Sequence, residues 1–320
     1  MMKNTKFYPI LMHFAARHAG YSYAEFASDY KFLVNANLKV IKDFGVDYAG
    51  LISDPYRETS AFGAPVEYVK EGVPKCTELV VKNMDDVNDL RNPDVYRAER
   101  TLDRINAAKA LDKELKGNIP IIGWVEGPLA EACDLAGISE MLTYLMMDTD
   151  FANKLMDKCM ITAKDFAKAQ IDNGCQVIGI GDAVCSQIDS MLYSSFVKDR
   201  HEELVSYIHD NGARVKMHIC GDITHLLPSL SEIGIDIIDL DWQVDLENAR
   251  KICGDEITVS GNINPVVIQD KNSDEIYNLS RELIKSQQGK NFILSGGCEI
   301  TVDTPPENLI SMKKACENHD

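Results

Sequence analysis

RVKMHICGDITHLLPSLSEIGIDIIDLD, residues 214–241, decides the fold. It opens on an apolar run from Arg214 to Cys220, passes through an amphipathic stretch closed by Gly234, and ends on a second run from Ile235 to Asp241. Both runs are rich in branched aliphatic residues and continuous rather than alternating. Strands covered on both faces of a parallel sheet read this way. The glycine is a helix stop. Strand, helix, strand is therefore the unit.

The unit recurs on either side. Upstream runs are Phe7 to His13, Asp47 to Ser53, Ile119 to Glu126 and Gln176 to Asp182; downstream ones are Glu256 to Asn262 and Asn291 to Gly297. Amphipathic stretches lie between them, among them Tyr23 to Gly45, Ser139 to Gly174 (broken near Asp148 to Asp150), Ser194 to Gly212 and Ser273 to Gly289. Eight such units predict one α/β domain over residues 1–320, a (β/α)8 TIM barrel. An open doubly wound sheet is the alternative; polar residues at the end of strand after strand favour the barrel. The long connection from Asp54 to Asn118 predicts an insertion around residues 54–80, either a lid-like hairpin over the mouth or a peripheral excursion.

Composition excludes several classes. The 320 residues carry a formal net charge of −17 and a pI near 4.8, which argues against a nucleic-acid partner. No run of about 20 apolar residues predicts a membrane span. The N-terminal MMKNTKFYPILMHFAARHAG does not read as a signal peptide. Nine cysteines, an odd number without framework spacing, predict reduced thiols in a cytoplasmic compartment. The chain has no GxxxxGK[ST], no GxGxxG after a strand, no GxSxG and no CxxC.

Barrel active sites gather where strands end. Those ends carry His13, Asp54, Glu126, Asp182, His218 with Cys220, Asp241, Asn262 and Cys298. His218 and Cys220 are two apart, on one face of a strand, and Cys298 closes another. Imidazole and thiolate are ligands Zn²⁺ prefers, and three protein ligands with one exchangeable position suit catalysis. Asp241 is the candidate fourth ligand or an orienting neighbour; Asp239 points the same way but deeper. Asn262, after Gly261, is either a ligand-binding amide or an Asn-Pro turn. Asp182 is either a proton acceptor or a helix cap. Arg17, after the first strand, is either an anion contact or a surface residue. Gly296 and Gly297 are expected to give the backbone freedom to aim Cys298.

The segments ARHAGYSYAEF, LISDPYRETSAFG, GWVEGPLAEACDLAG, SGNINP and LSGGCEI, with the stretch from His218 to Asp241, give the chain its family look. It resembles the uroporphyrinogen decarboxylase superfamily, whose members fold as (β/α)8 barrels. Within that superfamily it is similar to the zinc methyltransferase branch (methylcobamide:coenzyme M methyltransferase-like), which carries H-x-C followed by a distant Cys. The resemblance implies zinc held by His218, Cys220 and Cys298, with Asp241 near the carboxylate position of more distant methionine synthases. It also implies a corrinoid co-substrate (methylcobalamin), delivered by a partner corrinoid protein, and a small thiol or methyl donor. A zinc-bound thiolate would take a methyl group from the corrinoid, with Asp182 and Glu126 taking up a proton or positioning substrate. His13, Arg17, Asp54 and Asn262 would line the pocket.

The decarboxylase branch is the alternative, and a non-catalytic corrinoid- or partner-binding barrel a third reading. The decarboxylase motif has two arginines in R-Q-A-G-R; here Arg17 matches the first and Tyr21 stands at the second. A phenol there removes a charge that a polycarboxylate needs. Ser53-Asp54 does match that branch's F-S-D segment.

Overall fold

The computed structural model describes residues 5–317. The domain expected over residues 1–320 thus begins and ends outside the described residues, at 1–4 and 318–320. All eight apolar runs contain strands. They are β1 (Lys6–Phe7), β2 (Ala49–Gly50) and, after the hairpin β3 (Val66–Val69) and β4 (Gly72–Cys76), the strands β5 (Ile121–Glu126), β6 (Val177–Gly181), β7 (Arg214–Ile219), β8 (Ile237–Leu240), β9 (Thr258–Ile263) and β10 (Phe292–Gly296). The large sheet runs β1-β10-β9-β8-β7-β6-β5-β2, each neighbouring pair parallel.

The sheet curls until its two edges meet, at a seam with no strand ladder. Asp47 joins them instead: its N–H donates to the Phe7 carbonyl at 2.9 Å and its carboxylate accepts the Phe7 N–H at 2.7 Å. This is the barrel, not the open sheet. β1 and β2 are far shorter than the runs that predicted them. In the first, Pro9 has no N–H to continue a ladder, and His13 already opens the helix His13–His18.

Strands β5, β6, β8 and β10 are buried along their whole length, as continuous aliphatic runs require. Each fully buried Ile or Leu contributes about 1.5–3 kcal/mol. The stretch from Ser139 to Gly174 breaks at Asp148, whose carboxylate accepts the Phe151 N–H at 3.2 Å and caps the helix Thr149–Asp172. Asp29 makes an unforeseen break of the same kind between Tyr23–Ser28 and Tyr30–Phe44. The β3–β4 hairpin lies against the first of these: Lys70 accepts the Ala24 N–H, and the Arg100 guanidinium sits 5.3 Å from the Tyr68 ring centroid. Among the described residues no helix is long and apolar enough to cross a membrane.

Candidate metal centre

His218 is the penultimate residue of β7, Cys220 lies just past its end, and Cys298 follows β10. Two strands separate β7 from β10, and the curl of the sheet brings their ends together. His218 Nε2 is 3.2 Å from Cys220 Sγ, Cys220 Sγ is 3.9 Å from Cys298 Sγ, and all three donor atoms fall within 4.8 Å of one another. Around a tetrahedral zinc ion the edges would be about 3.8 Å between sulfurs and about 3.5 Å between nitrogen and sulfur. The donor set and its spacing therefore fit a metal. His218 is buried, whereas both cysteines are partly open to solvent.

Two glycines make this approach possible. A Cβ on Gly297 would lie 2.2 Å from the Trp242 nitrogen. Gly297 is thus required for close packing; its φ is not in the left-handed region, so conformational freedom is not its role. Gly261 has φ +136°, and a Cβ there would come within 2.9 Å of the Leu240 carbonyl oxygen.

The barrel interior orients the imidazole. His218, Asp239 and Ser260 are in register on β7, β8 and β9. His218 Nδ1 is 3.0 Å from the Asp239 carbonyl oxygen and 3.3 Å from its carboxylate. Nδ1–H thus donates inward and leaves Nε2 facing the sulfurs, the tautomer a metal ligand needs. Asp239 in turn lies 3.0 Å from the ammonium of Lys216, which is buried over the Tyr8 ring. Burial opposes charge on Asp239, but Lys216 and His218 hold its carboxyl well below the usual range. In the sulfur pair, the hydrogen bond from Cys220 brings Cys298 down to about 5, against burial, while Cys220 is pushed up.

The remaining strand-end residues do not join these three donors. Asp241 Oδ1 accepts the Gln243 N–H at 3.0 Å. Asn262 donates to the carbonyls of Asp241 at 3.1 Å and Val244 at 2.8 Å, so its amide pins the turn after β8. The His13 N–H donates to Glu299 at 2.8 Å and its ring packs on Tyr23, close to the Cys298 loop. Burial raises the Glu299 carboxyl to about 7. Arg17 pairs with Asp303 at an exposed edge of an open cleft that Tyr21, Glu25 and Lys70 also line.

Asp54, Glu126 and Asp182 are held in buried networks. Asp54 receives both Arg100 nitrogens, at 2.7 and 2.6 Å, together with Ser53 and the Tyr56 N–H. Burial alone would raise its pKa; Arg100 brings it to about 2. Glu126 pairs with the fully buried Arg57 at 2.8 Å, and Arg57 lies against Glu58. Burial pushes Glu126 and Glu131 well up, and Asp134 to about 7. Asp182 accepts the Leu129 and Ala130 N–H groups at the start of the helix Pro128–Ala136, and its Oδ2 is 3.0 Å from His201. His201 is held from its other side by Tyr193. Asp182, Cys185 and His201 form a second compact group of potential ligands, wholly buried. The sequence reading missed Arg57, Arg100 and His201. The i,i+4 pair Arg100 and Arg104 on an otherwise core-facing stretch was the available signal.

The chain matches the family Uroporphyrinogen decarboxylase (URO-D) over residues 5–319. It is 30% identical over 285 residues to the uroporphyrinogen decarboxylase of Geobacter metallireducens, covering 86% of this chain and 81% of that protein. It is 26% identical over 249 residues to the methylcobamide:CoM methyltransferase MtbA of Methanosarcina acetivorans, covering 77% of this chain and 72% of that protein. A solved methyltransferase from Methanosarcina mazei superposes with a TM-score of 0.89 at 20% identity, covering 99% of this chain and 93% of that one, which establishes the shared fold. With a barrel of that shape and a family match from end to end of the described residues, the chain belongs to the uroporphyrinogen decarboxylase family.

Proposed function

We propose that the protein is a zinc-dependent, corrinoid-linked methyltransferase that moves a methyl group between a methylcorrinoid and a small thiol. The observation that carries this reading is the convergence of His218 Nε2, Cys220 Sγ and Cys298 Sγ at the rim, with the imidazole turned by Asp239. These three side chains would hold the ion, and the fourth position is left to the incoming sulfur. Bound there, Zn²⁺ lowers the pKa of a thiol so that its sulfur is a nucleophile at neutral pH. The thiol proton leaves to solvent. The sulfur forms the S–CH₃ bond as the Co–CH₃ bond breaks, and cobalt keeps the electron pair as Co(I).

The metal-site residues divide the work. Cys220 and Cys298 supply two negative charges and keep the third sulfur electron-rich, and His218 limits the total charge. Arg17, half in solvent, would meet an anionic group on the acceptor by exchanging its exposed partner Asp303. Asp182 and Glu126 take no part in the chemistry, since helix N–H groups and Arg57 already occupy them. The methyl donor is a methylcorrinoid, in keeping with the methylcobamide in the name of the methanosarcinal relative, and in this reading it is carried by a separate protein.

Decarboxylase relatives are as similar in sequence, and Asp54 is the residue that speaks against their reaction here. Both of its oxygens are committed to Arg100, and it is 3% exposed. It is not free to bind a pyrrole. The test is metal analysis of purified protein, then methyl transfer from methylcobalamin to a panel of thiols. One zinc per chain, with transfer abolished by chelation and restored by zinc, is expected. Decarboxylation that survives chelation, with no bound metal, would sink the reading.

A further inference from the structure

We propose that Trp242 is the contact for the corrin macrocycle, a specificity-determining residue at the rim that sets affinity for the methyl donor. The inference rests on the methyltransferase reading above. Trp242 follows β8, and Val266 is the second residue of the helix Pro265–Asp270 after β9. In the strand order these two loops stand between the β7 loop with Cys220 and the β10 loop with Cys298. The Trp242 backbone is packed so tightly on Gly297, next to Cys298, that only glycine fits there. Its side chain is nevertheless 47% exposed, and Val266 is 53% exposed. Single exposed apolar residues are ordinary on a surface. This one is not on a loose loop: Asn262 holds the carbonyls of Asp241 and Val244, and the Val244 N–H closes the turn on Asp241. The backbone that carries the indole is thus held at a fixed place, against the residue that precedes Cys298.

The chemistry of the donor requires such a surface. Methyl transfer needs sulfur and methyl carbon about 3–3.5 Å apart. A macrocycle whose central cobalt carries that methyl must overlie the rim on all sides of the sulfurs. Its periphery is lined with methyl and methylene groups, and an indole covers these well at low entropic cost. Trp242 therefore acts on the corrinoid side of the reaction.

The chain has two tryptophans, and Trp124 is buried. Free methylcobalamin titrated in the dark should quench wild-type tryptophan emission saturably. Trp242→Phe, which reports Trp124 alone, should lose most of that saturable component. In turnover, Trp242→Ala should raise KM for methylcobalamin at least fivefold, with kcat and the KM for the thiol within twofold of wild type. Met147→Ser, at a more exposed apolar position on the helix Ile138–Met147, should change none of these. Unchanged quenching amplitude in Trp242→Phe, or an unchanged corrinoid KM in Trp242→Ala, overturns the proposal. Saturable quenching lost in Trp242→Phe, in a wild type that transfers no methyl group, supports the contact while defeating the activity reading beneath it.

Discussion

Two groups of ionisable side chains sit at the strand ends, and they differ in what already satisfies them. On the β7–β10 side, His218, Cys220 and Cys298 face one another, no Lys or Arg pairs with them among the described residues, and both sulfurs are partly open to solvent. On the β2–β5 side, Asp54, Arg57, Arg100 and Glu126 are buried and committed to one another at hydrogen-bond distance. The second group contains more charge, yet it is the weaker candidate for chemistry. A charge whose partners are built into the fold supports architecture. Donors that converge without a partner are waiting for one.

The sharpest way to break this contrast is to remove a sulfur. Cys298→Ser should reduce bound zinc to substoichiometric levels and methyl transfer by about a thousandfold or more, with thermal stability little changed in metal-free protein. Retained zinc and activity would erase the distinction. The opposite outcome is expected across the barrel. Arg100→Met leaves Asp54 buried and unpaired and should cost about 3–5 kcal/mol in denaturant unfolding, while zinc content per folded molecule stays at wild-type level. Loss of zinc without loss of stability would mean that the network belongs to the site after all.

Asp239→Asn probes the support behind the metal ligands. The amide removes the charged acceptor from His218 Nδ1, so zinc affinity, measured by chelator competition, should fall roughly 10–100-fold. The smallest effect concerns pH. Burial raises Asp134 from 3.8 to about 7, with Glu58 adding to the rise. A raised acid binds its proton more tightly in the folded state, so its stabilising contribution is complete below pH 4 and fades as pH climbs toward 7. Asp134→Asn should flatten that part of the stability profile and raise Tm at pH 8 by a few degrees. An unchanged slope between pH 4 and 7 would show that the carboxyl is not desolvated.

The sequence carried the fold because its evidence is local. Continuous aliphatic runs at regular intervals, each followed by an amphipathic stretch ending in glycine, allow few architectures, and one of them satisfies every run. Periodicity also placed His218 and Cys220 on one face, since side-chain direction follows from strand alternation alone. The break at Asp148 was legible for the same reason: a capping carboxylate acts on its own turn.

The tertiary structure decided which strand-end residues were already spoken for. Asp54 read as a pocket residue and Glu126 as a proton acceptor or substrate contact, until Arg100 and Arg57, distant from one or both in the chain, were seen to claim them. Asn262 read as either a ligand-binding amide or part of an Asn-Pro turn, and its amide secures the turn after β8 that carries Trp242. Gly297 read as a source of freedom and is a requirement of contact. Sequence determines what a side chain is able to donate or accept; which partner reaches it first depends on how the barrel curls, and that curl is set by the packing of the whole chain.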